Sequence, residues 1–356
     1  MRVLAINPGS TSTKVALYED GTELWSDTQR YSVDDIKRFP SISDQEEFRR
    51  NEIRKALDSH NTDLSSLDAA VGRGGLLKPI PGGTYVVNEP MLDDLRSCRY
   101  GSHACNLGAP LAIHLAQEGG CNKAFIVDPV VVDEMIPEAR LSGLPEIERR
   151  SLFHALNQKA VARRAAAEIG KKVDDCNFIV AHMGGGVSVG AHDHGRVVDV
   201  NNALDGEGPF SPERSGSLPA GGLVHLAFSG EYDLNSLLKR MVGGGGLVAH
   251  LGTNDLREVQ RRIVEDHDEK ASLIFEAQTY QISKEIGACS AVLKGCVDAI
   301  VLTGGLAYSE MFVEKIRQRV SFIAPVIVYP GEDEMKALAE GALRVLQGVE
   351  KAKEYR

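Results

Sequence analysis

The chain has 356 residues, 43% hydrophobic and 25% charged, a globular composition at a length that favours two domains over one. Its formal net charge of -10 argues against nucleic acid or an anionic membrane surface as a partner, so any phosphate site must be local. Six cysteines without a C-x-x-C pair or metal-ligand spacing read as free thiols of a reducing compartment, and no apolar run approaches a membrane span or a signal-peptide core, so a soluble cytoplasmic protein is expected.

The amino-terminal segment predicts a strand over 3–6, a loop of small polar residues from Asn7, a strand over 14–18, a turn at Glu19-Asp20-Gly21 and a strand over 22–26. A helix is expected over 44–60, where Phe48, Ile53, Ala56 and Leu57 share a face, followed by a strand over 69–71 that runs into Gly72-Arg73-Gly74-Gly75. Next come a strand over 84–87, helices over 90–99 and 109–118, and a strand over 124–127 ending at Asp128. A long helix is predicted over 146–169. After the segment 178–200 lie a glycine-rich stretch over 241–252, a helix capped by Thr253 or Asn254 and running to about residue 267, and a helix over 270–293. A strand over 299–302 enters Thr303-Gly304-Gly305, and a strand over 326–329 precedes a helix over 333–346. Strands and helices alternate, which makes the class α/β.

Residues 178–200 repeat the design of residues 3–26. Each copy has an apolar strand ending in a polar residue (Asn7, His182), a loop of small residues, a second strand, a turn with glycine (Gly21, Gly195) and a third strand. Two homologous halves explain this economically: one over 1–150, the other over 151–332, with the segment 333–356 able to pack back on the first. Small residues let backbone N–H groups approach a phosphate, and hydroxyls donate to its oxygens. Asn7, Ser10, Thr11, Ser12 and Lys14 have that character, and so does the loop His182-Met183-Gly184-Gly185-Gly186. Either loop alone would read as an ordinary hairpin; the duplication favours an ATP clamp. No G-x-x-x-x-G-K-[ST] and no G-x-G-x-x-G at a strand–helix junction occurs. The Gly304-Gly305 turn suits either packing against adenosine or a simple β–α turn. Taken singly, Arg73 and Arg214 read equally as solvated or paired side chains, Asp128 as a turn residue before Pro129, and His154 as structural. His192 and His194 flank a turn without third and fourth ligands, so no structural metal is expected there.

The order NPGSTSTK, GRGG, Asp128 at a strand end, FHALNQK, HMGGG, ERSGSLP and LTGG resembles the acetokinase family of the actin, Hsp70 and sugar-kinase superfamily over essentially the whole chain. HMGGG and ERSGSLPAGGLV resemble its butyrate and branched-chain fatty acid branch. The resemblance implies two duplicated actin-like (ribonuclease H-like) ATPase domains with a nucleotide cleft between them, and ATP and Mg²⁺ as cofactors. It implies in-line transfer from ATP to a short-chain carboxylate, butyrate first, giving an acyl phosphate and ADP. Acetate or isobutyrate as the acceptor, and a non-catalytic ATP switch of the actin or Hsp70 type, are the alternatives. A homo-oligomer, a dimer or larger, is also implied.

For individual residues it implies Arg73 and Arg214 as ligands of substrate and transition state, Asp128 as the catalytic carboxylate, and His154 and His182 as donors on the phosphate side. Gly184, Gly185, Gly186, Gly304 and Gly305 are expected to bind nucleotide, and Asn7, Asp128 and Glu334 to serve the metal. Glu332 and Asp333 compete with Glu334 in YPGEDEM, and any of the three is also an ordinary acid at a helix start. A carboxylate acceptor is ionised at pH 7 and needs no general base. It does need relief from repulsion by the triphosphate, which arginines and Mg²⁺ supply. Similar acetate kinases usually carry a β-branched residue where this chain has Gly75, so extra acyl room is expected beside Gly75, Phe153 and Pro209-Phe210.

Overall fold

The computed structural model describes residues 1–356 and divides them into two units, Met1–Val132 with Asp333–Arg356, and Asp133–Glu332. The strands are β1 (Arg2–Pro8), β2 (Ser12–Glu19), β3 (Thr22–Arg30), β4 (Ala69–Arg73), β5 (Thr84–Val86), β6 (Ala124–Val127), β7 (Asn177–Met183), β8 (Val187–Asp193), β9 (Arg196–Val200), β10 (Ala299–Gly304), β11 (Val326–Pro330) and β12 (Lys353–Glu354).

The first unit holds a seven-stranded sheet ordered β12-β5-β6-β4-β1-β2-β3, the second a five-stranded sheet ordered β11-β10-β7-β8-β9. Within them, β6-β4-β1-β2-β3 and β11-β10-β7-β8-β9 follow one plan: two parallel pairings, then two antiparallel ones. The repeat extends to local detail. Asp20 and Gly21 have φ of 49° and 85°, and His194 and Gly195 have φ of 49° and 77°. Both hairpins thus close on turns with two left-handed central residues, whose twist matches that of the strands. Each hairpin also slips register at the same distance before its turn glycine, at Leu17/Tyr18 and at Ala191/His192.

Val3 to Ile6 are all buried, as expected for a strand covered on both faces. Helices Gly108–Glu118 and Glu334–Leu346 both pack against β1, β4 and β6. In the second unit, alternate residues of β7 enter different cores. Ile179, Ala181 and Met183 join Phe275, Ile282 and Phe312, while Phe178 and Val180 join Val161, Ala162 and Ala165. All six cysteines are free, and no helix is long and apolar enough to cross a membrane.

The sequence pattern misplaced several elements. The helix expected over 146–169 spans only Ala155–Glu168. Upstream, Arg149 donates to Ala139 O (2.8 Å), Asp199 Oδ1 (3.0 Å), Val200 O (3.2 Å) and Glu207 Oε2 (3.2 Å), which holds that segment against β9 in a non-helical path. Residues 133–150 accordingly group with the second unit, where the Ile136 N–H also donates to Val198 O. The helix after the glycine-rich stretch starts at Leu256 and is capped by Asp255, whose side chain accepts from the Arg257 N–H, instead of by Thr253 or Asn254. Helices Ala220–Ala227 and Leu234–Met241, and the pairing of β12 with β5, are further additions.

Candidate active-site residues

In the first unit the candidates gather at the carboxyl ends of three neighbouring parallel strands, where ligands of α/β sheets bind. Ile6 pairs with Gly72 and Arg73 with Val127, so Asn7 near the end of β1, Arg73 at the end of β4 and Asp128 just after β6 lie at about one level. Asn7 Nδ2 donates to Glu334 Oε2 (2.5 Å), Arg73 Nη1 lies 2.7 Å from Glu334 Oε1, and Arg73 Nη1 reaches Asn7 Oδ1 at 3.5 Å. Of the three acids in YPGEDEM, Glu334 is the one joined to Asn7 and Arg73.

Asp128 is 1% exposed, has φ of 36°, and accepts the Gly83 N–H at 2.7 Å while its own N–H donates to Gly83 O at 3.0 Å. Ser10 and Thr11 are exposed and Ser12 half-buried at the mouth of the first hairpin. Lys14 is exposed on β2 in direct register with Asn7. His103, which sequence reasoning passed over, is exposed. Partial desolvation and, behind it, the positive charge of Arg73 lower its pKa below that of an ordinary imidazole.

Gly75 does not open an acyl pocket in the direction a side chain would take. A Cβ there would lie 2.6 Å from Asn106 Cα and 2.7 Å from Leu95 Cδ2, so the space is already filled. The room expected beside Gly75 is therefore withdrawn.

In the second unit, His154 caps helix Ala155–Glu168: the Asn157 N–H donates to its Nδ1, so its proton sits on Nε2. That Nε2 lies 3.0 Å from Glu332 Oε2, and His182 Nε2 lies 3.4 Å from Glu332 Oε1. His182 Nδ1 is 2.9 Å from Asn157 Oδ1, and the two imidazoles are 4.5 Å apart. One asparagine thus orients two imidazoles whose Nε2 atoms converge on one anionic group. His154, His182 and Glu332 lie close enough to hold a metal ion, but a proton on His154 Nε2 makes that atom a donor and suits an anion better. Sequence reasoning missed Asn157; its place three residues after His154 at a helix start was the available signal.

Arg214 packs directly on the HMGGG loop: a Cβ on Gly186 would lie 2.1 Å from Arg214 Nη1, so only glycine leaves room for the guanidinium. Nη1 donates to Ala203 O, and the Ala203 N–H donates to Leu152 O (2.9 Å), next to buried Phe153 and to His154. Ser211 Oγ donates to Gly185 O, joining the glycine loop to the Pro209–Arg214 turn, in which Pro209 is buried. Gly184, Gly185, Glu213, Asn254, Gly305 and Tyr308 line a cavity of about 760 Å³, within the usual size range for a small-molecule site. Gly304 ends β10, paired with Pro330.

The hydrogen bonds from His154 and then His182 hold Glu332 well below the usual carboxylate range. A depressed carboxylate stabilises the fold fully above its ordinary value of 4.5 and loses that contribution as pH falls through its lower folded value. Glu332→Gln is therefore expected to cost about 1 kcal/mol at neutral pH and progressively less in acid. Urea midpoints of parent and variant across the acid range check this; a gap that stays constant down to roughly pH 3 would mean that the ionised carboxylate adds nothing.

Residues 135–325 match the acetokinase family. The chain is 57% identical over 355 residues to butyrate kinase 1 of Clostridium acetobutylicum, covering 100% of this chain and 99% of that one. Among solved structures it resembles acetate kinase from Porphyromonas gingivalis, with a TM-score of 0.78 and 21% identity over 97% of this chain and 99% of that one. It also resembles a propionate kinase from Francisella tularensis subsp. tularensis SCHU S4, with a TM-score of 0.72 and 17% identity over 96% and 98%. Those two likenesses speak for the duplicated actin-like fold, and the full-length identity speaks for descent: the chain belongs to the acetokinase family.

Proposed function

We propose that the protein transfers the γ-phosphoryl group of ATP to the carboxylate of butyrate, giving butyryl phosphate and ADP, in the cytoplasm. A carboxylate oxygen forms the new bond to phosphorus as the bond to the β,γ-bridging oxygen breaks, and ADP leaves with that electron pair. The 57% identity to a butyrate kinase along the full chain carries the choice of acceptor.

The geometry supports a division of labour. The loop Ser10–Ser12 and the glycines 184–186 hold phosphates, and the cavity beside Gly305 takes the adenosine. Arg73 and Arg214 neutralise carboxylate and γ-phosphate charge. His154 donates to a phosphate oxygen, and His182, whose Nδ1 proton faces Asn157 Oδ1, does so from Nε2 as the imidazolium; in this structure the Glu332 carboxylate stands where such an anion would accept. Asn7, Glu334 and Asp128 offer the hard oxygen atoms that suit Mg²⁺, which when bound offsets charge on the polyphosphate. The exposed apolar side chains of Val224, Phe228, Leu234 and Leu238 support assembly into a homo-oligomer.

A coupled assay for ADP tests this reading. ADP formation should require both Mg²⁺ and a carboxylate, with kcat/KM for butyrate about tenfold or more above that for acetate, since each buried methylene is worth about 0.8 kcal/mol. Preference for acetate would move the protein to the acetate branch, and ADP release independent of any carboxylate would favour a switch.

A further inference from the structure

Arg49 lies in helix Glu46–Ser59 and is fully buried, although the arginine next to it, Arg50, is only half-buried. Its Nη1 donates to Gly9 O (2.7 Å), Ser12 O (2.9 Å) and Thr13 Oγ1 (3.1 Å). Its Nη2 donates to Ser10 O (3.1 Å) and Gln45 Oε1 (2.9 Å), and its Nε to the same Gln45 oxygen (3.1 Å). The guanidinium carbon also lies 5.0 Å from the centre of the Tyr31 ring. Every acceptor is neutral; none is a carboxylate. A buried cation ordinarily has an anionic partner, because its desolvation is otherwise uncompensated.

The loop shows where this cation acts. Three of its four carbonyls, those of Gly9, Ser10 and Ser12, point back at Arg49, and the fourth, Thr11 O, accepts the Tyr31 N–H at 2.9 Å. An anion cradle fails if carbonyl oxygens face the anion; here all four are engaged by the protein itself. A planar fork can reach three carbonyls and a glutamine at once, which a lysine ammonium cannot.

We propose that Arg49 is the positioning residue of the phosphate loop, holding its carbonyls away so that the N–H and hydroxyl groups of Ser10, Thr11 and Ser12 face the polyphosphate, and lending that polyphosphate an otherwise unpaired buried charge. This rests on the reading of Ser10–Ser12 as a phosphate loop.

Binding of ADP and of adenosine is measured by calorimetry on the full-length parent, on Arg49→Lys and on Gln45→Met, which frees the guanidinium without removing it. Arg49→Lys is expected to weaken ADP by about tenfold or more, while adenosine affinity and the KM for butyrate stay within about twofold. Gln45→Met is expected to give a smaller loss of the same selectivity. Unchanged ADP affinity in folded Arg49→Lys, or equal losses for ADP and adenosine, would overturn the proposal, the second outcome meaning that Arg49 merely supports the unit. If Arg49→Lys does not fold, Gln45→Met decides by the same criterion. A parent that binds ADP no more tightly than adenosine would instead sink the phosphate reading of the loop, and the proposal with it.

Discussion

Replacing Arg214 by alanine is expected to lower kcat by about 10²–10³-fold in a protein that still folds, the usual effect of removing one donor that meets developing charge. The guanidinium makes few demands on the fold: it donates to Ala203 O and rests on the backbone of Gly186. Its half-burial lets it act where solvent screens less, and burial lowers its pKa without removing its charge. Gly186→Ala sharpens the test. The new methyl would occupy the place of Nη1, 2.1 Å away, and the flexible end of the arginine would move aside. Gly186→Ala should therefore approach the Arg214→Ala rate, and the double variant should be little worse than either, because both remove one interaction. Parent-like kcat/KM in folded Arg214→Ala refutes its role; parent-like turnover in Gly186→Ala shows that Arg214 works from another position.

Asp128→Asn should lower kcat by about 10²-fold or more with little change in thermal midpoint, because asparagine keeps the acceptor for the Gly83 N–H and tolerates a left-handed φ, but carries no charge to the metal side. Asp128→Ala should behave differently. It leaves a buried backbone donor without its partner and should cost about 1–3 kcal/mol of stability as well as activity. The pair separates charge from clasp. Full activity in Asp128→Asn, measured by the coupled ADP assay, would reduce Asp128 to a turn residue.

Much of the architecture was legible because it is written twice. The Asp20-Gly21 and His194-Gly195 turns, the strands around them and the small-residue loops repeat in one order, and the two sheets repeat with them. Candidate residues stand out in the sequence where loop chemistry is local, as at Asn7 and the HMGGG loop. Positions decided by a long-range partner do not. Glu146 to Ile169 is rich in helix formers, yet Arg149 finds its partners on and beyond β9, and the helix begins at Ala155. Arg49 sits among Arg50, Arg54 and Lys55 with nothing local to single it out; only the fold places it beneath the loop between β1 and β2. Gly75 read as free volume because sequence shows the missing side chain and not the Asn106 and Leu95 atoms in its place.

The division of the chain also sets an order on its synthesis. The second unit is one continuous stretch, Asp133–Glu332, and every residue it needs has been made before Asp333 is added. The first unit is started earlier but cannot be finished then, because the helix Glu334–Leu346 that packs on β1, β4 and β6, and the edge strand β12, come last. Domains fold as units as they emerge. The half of the enzyme that carries Asn7, Arg73 and Asp128 therefore cannot cover that face of its sheet until the whole of the other half has been made.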